Sequence, residues 1–384
     1  MKNWNNTAEI IIIGGGILGT SVAHNLAKKG QKQVVLLEKE FLCEGSTGLS
    51  VGGFRQQFST PANILLSRES VQLFKHFEDE FGVGIDMNQP GYLFLAREEQ
   101  TWEDLKNGVQ IQEKYSVPVE RLSPEEISHR WPYIKTRDLL GGTFCPEDGY
   151  ADPYLVTMAY AKEAKKQGVL ILENTEVTGI LVKNGRVRGV DTSAGKILAP
   201  RVINVAGPWG GKVARMVGLD LPVLPYRRQV FVITCTKDIP QPVPMVIDMD
   251  MRHYFRGESS MILTGMSDLE EPSSFNLQVD QTFMIKVVEA LVQRAPVMAD
   301  SKMIRGWAGL YAVTPDENPI IGEIEIIEGF YCAIGFSGHG FQHGPAVGRI
   351  LSELILEGKT DFDLSPFAHD RFGKLNLPGE KRAV

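Results

Sequence analysis

The chain has 384 residues, of which 43% are hydrophobic and 23% charged, and its formal net charge is −7. This length is sufficient to bury a large core and predicts two domains rather than one. Lysines and arginines are scattered in an acidic chain, which argues against a nucleic-acid partner. No apolar run approaches the roughly eighteen residues that a membrane-spanning helix needs.

The cysteines give no sign of a metal centre or a disulfide framework. The four of them (Cys43, Cys145, Cys235 and Cys332) are far apart and show no CxxC or Cys/His metal spacing. The first nine residues carry one lysine and no apolar stretch of the kind found in secretory signals. Buried, reduced thiols are therefore expected, together with a cytoplasmic location and no bound metal.

A run of four isoleucines at 10–13 is followed by a glycine-rich turn. In the pattern GxGxxG, Gly14 permits a tight turn, Gly16 lets the backbone approach a pyrophosphate, and Gly19 allows close helix packing. The pattern predicts a strand, a turn and a helix whose first N–H groups bind phosphate.

A second apolar run, 33–37, ends on the carboxylate of Glu38. An acid at this spacing accepts a ribose hydroxyl and repels a 2′-phosphate. Strand, turn, helix, strand and acid in this order predict dinucleotide binding. The alternative is an ordinary α/β turn without a ligand.

The middle of the chain alternates between helical and strand patterns. Periodicity and turn residues predict a helix near 64–77, an exposed helix at 98–115 and a helix from Asp152 to Gly168. Predicted strands are 92–95, 170–172, 176–182, 187–191 and 202–206, with a hairpin turn at Asn184-Gly185. From 222 to 262, β-rich stretches separated by prolines, among them 229–235 and 261–263, predict an antiparallel sheet, and a helix is predicted at 283–294.

The C-terminal part returns to a buried strand, 330–334, and a glycine-rich loop, 335–345. A helix is predicted to open at Pro345 and to close near Gly358, and residues 379–384 are predicted to fray. The loop would bring bare N–H groups and a helix N-terminus against a ligand. In a flavoenzyme that ligand is the flavin N1–C2=O edge, where reduction places negative charge. A glycine turn with no ligand is the alternative.

These elements predict an α/β fold with a discontinuous Rossmann-like nucleotide-binding domain and an inserted α+β substrate domain built on an antiparallel sheet. The predicted ranges are 1–85, 146–222 and 315–384 for the first domain, and 86–145 and 223–314 for the second.

The chain resembles the D-amino-acid oxidase/sarcosine oxidase superfamily of flavoproteins, with greatest similarity to monomeric sarcosine oxidases and to the β-subunits of sarcosine oxidase and proline dehydrogenase. The resemblance spans nearly the whole length in the right order. Its motifs are Gly14 to Glu38, Gly45 to Arg55, Asp148 to Pro153, Val205 to Trp209, Trp307 to Tyr311, Thr314 to Gly322 and Gly335 to Gln342.

The resemblance implies bound FAD, with the flavin between the two domains. It also implies oxidation of the CH–NH bond of a small secondary or N-methylated amino acid, such as sarcosine, proline or dimethylglycine, by hydride transfer to flavin N5. The implied cofactor-binding residues are Gly14, Gly16, Ile17, Leu18, Gly19, Glu38, Lys39, Ser46, Thr47, Val51, Gly52, Val177, Gly207, Trp209, Gly309, Leu310, Gly338, His339, Gly340, Phe341 and Gln342.

The implied catalytic residues are Arg55, Tyr254, Arg256, Tyr311 and Gln342. Arg55 matches the arginine that binds the substrate carboxylate in monomeric sarcosine oxidases. A guanidinium offers a bidentate fork to a carboxylate, although a surface or phosphate-facing arginine is the alternative. Tyr311 matches a tyrosine of the sarcosine oxidases. Tyr254 and Arg256 lie where the family places residues over the flavin, or are ordinary strand residues. For His339, a structural or flavin-edge role is favoured over a catalytic one.

Four departures from the sarcosine oxidases stand out. Gly309 occupies the position of the cysteine that carries their flavin, so non-covalent FAD is predicted. Leu263 aligns with their oxygen-activating lysine, Gln342 with a carboxylate-binding lysine, and Ser267 with a histidine. A fixed cation near flavin N5 assists electron transfer to O₂, so its absence would slow that step. The electron acceptor therefore stays open between O₂ and a partner protein or carrier, and further subunits of a hetero-oligomer are among the expected partners.

Two other functions stay open at this point. The missing lysines and histidine allow a flavin-binding subunit or assembly factor with little turnover of its own. The N-terminal motif alone allows an NAD-dependent dehydrogenase, which would leave the loop at 335–344 unexplained.

Overall fold

The structure is a computed structural model that describes residues 6–234, 239–373 and 379–380. Cys235 lies outside the described residues. Two large sheets, of six and eight strands, organise the described chain. Strands and helices are numbered below in chain order. The predicted α/β class is confirmed.

The six-stranded sheet forms around the isoleucine run near the N-terminus. In spatial order its strands are β18 (Ile320–Glu323), β19 (Phe330–Ile334), β12 (Arg201–Asn204), β1 (Ile10–Ile13), β2 (Val34–Leu37) and β8 (Leu170–Leu172). All neighbouring strands pair in parallel except β18, which is antiparallel to β19. Strands β1 and β2 are buried along their whole length, as strands covered on both faces are.

In spatial order the eight-stranded sheet contains β17 (Met303–Val313), β13 (Leu224–Thr234), β16 (Met261–Met266), β15 (His253–Glu258), β14 (Met245–Asp248), β4 (Tyr92–Ala96), β6 (Gly141–Cys145) and β5 (Glu120–Leu122). Its strands pair in antiparallel fashion, except that β14 is parallel to β4. All of these strands fall within 86–145 and 223–314. The division of the chain into domains stays a prediction.

Two small sheets complete the strands. The predicted hairpin at Asn184-Gly185 is present, with both residues at positive φ, as a tight two-residue turn requires. The three-stranded sheet contains β9 (Val177–Lys183), β10 (Arg186–Thr192) and β11 (Gly195–Leu198), and the two-stranded sheet β3 (Gly53–Phe54) and β7 (Gly149–Tyr150).

The helices pack their apolar faces on the sheets and on one another. Within the described residues, no helix is both long and apolar enough to cross a membrane. The α-helices are α1 (Ile17–Lys28), α2 (Pro61–Lys75), α3 (Phe77–Phe81), α4 (Glu99–Lys114), α5 (Pro124–Arg130), α6 (Pro153–Lys166), α7 (Gly210–Arg215), α8 (Gln281–Arg294) and α9 (Gly340–Glu357).

Helix α9 differs from the sequence prediction at its start. It begins at Gly340, and Pro345 lies inside it rather than opening it. Pro345 is the sixth residue of the helix, and the backbone hydrogen bonds already begin at His343, whose N–H donates to the His339 carbonyl. Proline has no N–H, so the helix lacks one such bond at this position. The next N–H, that of Ala346, donates instead to Ser70 Oγ at 3.2 Å. The glycine-rich loop is therefore shorter than predicted, and Gly340 to Gln342 form the first helical turn.

Two smaller predictions also change. Helix α4 is not exposed all round, because Leu105, Val109 and Gln112 are buried on one face. In the segment expected to fray, Glu380 is buried and its carboxylate accepts from the Ser59 N–H at 3.1 Å. This carboxylate therefore lies at the N-terminus of α2, where negative charge is favoured. Residues 381–384 lie outside the described residues.

Candidate active site

A cavity of about 330 Å³ is bounded by the carboxyl ends of β1 and β2 and by one face of the eight-stranded sheet. Its wall contains both glycine-rich segments that the sequence singled out, Gly14 to Leu18 and Gly335 to Gln342. We call the part around Gly14 and Glu38 the nucleotide end. The part around Arg55, Tyr254 and Tyr311 is the substrate end.

The nucleotide end is built from backbone that side chains would obstruct. Gly14 has φ of +119°, and a Cβ there would lie 2.6 Å from the carbonyl oxygen of Val205. A Cβ on Gly19 would lie 1.9 Å from the carbonyl oxygen of Gly14, so this glycine lets α1 pack against the turn, as predicted. Gly16 is the N-cap of α1 and supplies no side-chain cap, but the Ile17 N–H donates to Thr47 Oγ1 at 3.2 Å. The positive end of the helix dipole still favours an anionic group at this turn.

Glu38 lies beside the turn at the end of β2. Its Oε2 accepts from the Gly15 N–H at 2.6 Å and its Oε1 from the Glu40 N–H at 3.0 Å. A carboxylate has about four acceptor positions, so two remain for a ribose diol. Nearby, Lys39 Nζ lies 3.8 Å from the centre of the Trp209 ring. The carboxylate is therefore held in place and still able to accept.

The predicted loop at 45–55 is fastened to β17 along the middle of the cavity. Ser46 Oγ donates to the Leu310 carbonyl at 2.7 Å, and Trp307 Nε1 donates to the Leu49 carbonyl at 2.9 Å. A Cβ on Gly309 would lie 3.2 Å from the Leu49 Cβ. The loop and the strand are thus in direct contact, and residues of both line the cavity.

The C-terminal glycine loop meets the cavity at the start of α9. His339 is the N-cap of this helix and provides no side-chain cap hydrogen bond, so the first N–H groups of α9 have no such partner. Gly338 has φ of +95°, and a Cβ there would lie 2.4 Å from the Tyr311 ring. The bare backbone of this loop and the helix dipole both favour negative charge at this wall.

Arg55 is the buried cation of the substrate end, with 5% of its surface exposed. Its Nη1 donates to the Gln57 carbonyl at 2.6 Å, and its Nη2 lies 3.2 Å from His339 Nε2. The guanidinium carbon lies 4.0 Å from the centre of the Phe58 ring. Burial, followed by the charge of Arg55, holds the pKa of His339 well below its ordinary value. His339 is therefore neutral and accepts from the arginine, and the guanidinium has a fixed orientation.

A buried network holds the backbone that carries Arg55. Asp148 accepts from the Gln56 N–H at 2.8 Å and from Gln57 Nε2 at 3.2 Å. Gln342 Oε1 accepts from the Arg55 N–H at 2.7 Å. Burial raises the pKa of Asp148 to about 7. In the sequence Asp148 stands out only as part of the motif Asp148 to Pro153, and its burial beside the Arg55 segment is visible only in the fold.

One face of the eight-stranded sheet forms the wall of the substrate end. Alternate residues of a strand share a face, and residues directly opposite across a ladder share it too. Tyr254 pairs with Ile247, and Tyr226 with Tyr311. This face supplies Tyr92, Arg228, Val230, Met245, Ile247, Tyr254, Gly309 and Tyr311 to the cavity wall.

The two predicted tyrosines are protonated hydroxyl groups in an apolar setting. Burial raises the pKa of Tyr254 and of Tyr311. The ring of Tyr254 lies against Gly265, where a Cβ would be 2.4 Å from its hydroxyl oxygen. Both hydroxyls can donate a hydrogen bond at any physiological pH.

Arg256 and Gly19 differ from the other predicted site residues, because neither is among the described residues that line the cavity. Arg256 pairs with Glu258 at 2.5 Å, donates to the Val51 carbonyl at 3.1 Å and stacks on Tyr150. It supports the Val51 segment from behind. The structure brings every other predicted site residue to the cavity wall.

Sequence reasoning missed Arg228, Tyr92 and the apolar positions of β14. For Arg228 a signal was present, since Tyr226, Arg228 and Val230 alternate with Arg227 and Gln229 along β13. The predicted strand, however, began at Gln229. No local pattern placed Tyr92 or Met245, because β4 and β14 meet only through a parallel pairing of distant segments.

The described residues fit FAD. The nucleotide end offers a turn without side chains, a held carboxylate and the positive end of the α1 dipole, where Thr47 accepts from the first N–H. A second helix start, without a side-chain cap, lies farther along the same cavity. Two anion-favouring walls in one cavity suit a molecule with a diphosphate and a ring that gains charge on reduction.

Comparison with known proteins agrees with this fit. Residues 9–354 match the family model "DAO: FAD dependent oxidoreductase". The chain is 32% identical to mitochondrial dimethylglycine dehydrogenase of Rattus norvegicus over 97% of its own length and 45% of that protein. It is 33% identical to FAD-dependent oxidoreductase domain-containing protein 1 of Xenopus laevis, over 95% of its length and 82% of that relative. It thus spans less than half of the dehydrogenase.

A solved structure resembles it over nearly its full length. L-proline dehydrogenase from P. horikoshii shares 35% identity with a TM-score of 0.89, and the match covers 97% of this chain and 99% of that one.

Proposed function

Because the chain belongs to the DAO family of FAD-dependent oxidoreductases, we propose that it oxidises the CH–NH bond of a small secondary or N-methylated amino acid. The relatives named for dimethylglycine and proline act, by their names, on amino acids of this kind. The observation that carries the proposal is the buried, oriented guanidinium of Arg55 in the same cavity as the nucleotide end.

When bound, FAD would supply the acceptor, at N5, for a hydride from the carbon next to the amine nitrogen. The ammonium form of the substrate would first lose one proton, loss of the hydride would leave an iminium ion, and water would hydrolyse the released iminium ion to an amine group and a carbonyl group. The residues of the nucleotide end would hold the diphosphate and ribose of FAD. The first turn of α9, Gly340 to Gln342, would face the edge of the flavin where charge collects.

Arg55 would bind the substrate carboxylate. A guanidinium matches a carboxylate with two parallel N–H donors, and its burial strengthens that interaction. His339 and the Gln57 carbonyl restrict its rotation, so little orientational entropy is lost when the substrate binds. The carboxylate thereby fixes which carbon faces the flavin.

The tyrosines and apolar residues of the sheet face would complete the substrate end. Protonated Tyr254 and Tyr311 can donate to the carboxylate or to the ring system beside it. Val230, Met245 and Ile247 exclude water from the reacting carbon. In this proposal Arg256 has no contact with substrate and instead supports Val51.

FAD would be bound without a covalent link. Gly309 has no side chain to supply one. Cys43, which lines the cavity, donates to the Pro153 carbonyl, and burial raises its pKa to about 11. A thiol in this state is a poor nucleophile.

The electron acceptor would be a partner protein or carrier rather than O₂. Leu263, buried on β16 near Tyr254, places an apolar side chain where the sarcosine oxidases carry a lysine. Further subunits of a hetero-oligomer and a cytoplasmic location both stay predictions. A flavin-binding subunit with little turnover is the alternative function, and it predicts bound FAD that amino acids do not reduce.

Anaerobic reduction of the bound flavin tests the proposal. Purified holoprotein is mixed with sarcosine, dimethylglycine, proline and glycine, and absorbance near 450 nm is followed. At least one secondary or N-methylated amino acid is expected to bleach the flavin faster than glycine does. A flavin that dithionite reduces but none of the amino acids does would favour the subunit without turnover.

A further inference from the structure

We propose that Arg228 binds a second anionic group of the substrate, so that the preferred substrate is an amino acid with an additional carboxylate on its side chain or on an N-carboxyalkyl arm. This inference rests on the proposed function, because it assigns the first carboxylate to Arg55. It narrows the proposed substrates from small secondary or N-methylated amino acids in general to those that carry a second carboxylate.

Arg228 lies on the cavity face of β13, in the part of the wall that belongs to the substrate end. It stands directly opposite Gly309 on β17, and Gly309 and Tyr311 share one face of that strand. The guanidinium carbon lies 5.2 Å from the centre of the Tyr311 ring. Both Arg228 and Arg55 act electrostatically on the Tyr311 hydroxyl. The two cations therefore flank the same tyrosine.

The hydrogen bonds of Arg228 leave donors available. Its Nη1 donates to the Arg227 carbonyl at 2.9 Å, whereas its Nε is buried and has no hydrogen-bond partner in the described chain. Because this Nε has no exposed surface, a ligand would instead meet Nη2, which has no hydrogen-bond partner in the described chain and is not buried. A carboxylate in the cavity can accept from such a donor.

Two neighbouring arginines with a structural role each form an ion pair with a glutamate of this chain. Arg227 forms a two-bond pair with Glu271, at 3.0 and 2.8 Å, and Arg256 pairs with Glu258. Over the described residues, no carboxylate comes within ion-pair distance of Arg228. Arg228 thus differs from these two arginines in lacking a carboxylate of its own.

The charges of the cavity wall are unevenly distributed. Among the described lining residues, the carboxylates are Glu38, Glu40 and Glu176, which follow β2 or precede β9 at the nucleotide end. Glu317 lies outside the wall, and its charge interacts with Arg228 without forming an ion pair. The substrate end therefore presents two guanidinium groups and no lining carboxylate. One substrate carboxylate matches Arg55, and a second would match Arg228.

A pair of non-oxidisable ligands tests this inference in the FAD-bound protein. Methoxyacetate and diglycolate both replace the amine nitrogen with oxygen and differ by one carboxylate. Their dissociation constants follow from perturbation of the flavin absorbance spectrum. We expect diglycolate to bind about tenfold more tightly, the scale of one charged hydrogen-bonded contact. Equal affinities in the unaltered protein would overturn the inference, whatever the variants do.

Four substitutions locate the effect. Arg228→Met should remove the preference for diglycolate while changing methoxyacetate affinity less than about threefold, and Arg228→Lys should retain part of it. Arg305→Met removes an exposed arginine from the same sheet and should change neither constant. Equal weakening of both ligands by Arg228→Met would indicate a general electrostatic role and overturn the inference. Arg55→Met should weaken both ligands, and if it weakens neither, the proposed function fails instead.

Discussion

In the proposed function, the nucleotide end and the substrate end of the cavity would recognise their ligands by different means. At the nucleotide end, backbone N–H groups, the start of α1 and glycines without side chains form the surface. At the substrate end, side chains from five strands of one sheet form it. A backbone surface tolerates no added atoms, whereas a side-chain surface can change specificity one residue at a time. The predictions below test this difference.

The largest effect is expected at the nucleotide end. Gly19→Ala would place a Cβ 1.9 Å from the Gly14 carbonyl oxygen, so α1 must move away from the turn. We expect Gly19→Ala to lose bound FAD, which the flavin content of the purified protein measures. We also expect its free energy of unfolding, measured with urea, to fall by about 1–3 kcal/mol. Gly179→Ala, whose Cβ would meet only Asp191 at 3.8 Å, is the matched control. Full FAD content in Gly19→Ala would argue against the close packing described.

At the substrate end, Arg55→Met should leave FAD bound and impair the substrate. The variant lacks the buried guanidinium that would bind the substrate carboxylate. We therefore expect the rate of anaerobic flavin reduction at limiting substrate concentration to fall about hundredfold. Flavin content and the absorbance spectrum should stay close to those of the unaltered protein. Unchanged reduction kinetics would remove Arg55 from the substrate site.

Asp148 should make stability depend on pH. Burial raises its pKa to about 7 in the folded protein, against roughly 3.9 when unfolded. Between these values the folded state holds a proton that the unfolded state releases, so this group lowers stability as pH rises from about 4 to about 7. Asp148→Asn should remove that decline, by an amount on the order of 2 kcal/mol. The free energy of unfolding of the unaltered protein and of Asp148→Asn is measured with urea at pH 5 and at pH 8. If the two proteins differ by the same free energy at both pH values, the prediction is wrong.

The smallest effect is expected from His339, which orients Arg55 without contacting substrate in this account. His339→Ala should raise KM about three- to tenfold, because one hydrogen bond to the guanidinium is lost, with kcat changed less. His339→Gln supplies another acceptor and should recover part of the affinity. A fall in kcat alone would point to a role at the flavin instead.

The nucleotide end could be predicted from sequence because its determinants are local. Strand β1, the glycine turn and α1 are contiguous, and the backbone there requires glycine at Gly14 for a stated geometric reason. The start of α9 was misplaced by five residues because Pro345 is a strong N-terminal signal that the helix accommodates one turn later.

The substrate end was predictable only in part. Arg55, Tyr254 and Tyr311 came from a family resemblance, and their convergence depends on pairings between segments far apart in the chain. Arg256 has the right alternation to share a face with Tyr254, yet Glu258 and the Val51 carbonyl hold it outside the cavity wall. Only the fold decides which members of an alternating pattern reach the ligand.

A structure of the protein with FAD and methoxyacetate tests the central claim most directly. The account predicts the diphosphate at Gly14 to Gly16, the flavin pyrimidine edge at Gly338 to Gln342, and the carboxylate within about 3.2 Å of the Arg55 guanidinium. A flavin bound away from either glycine segment, or a carboxylate bound without Arg55, would contradict it.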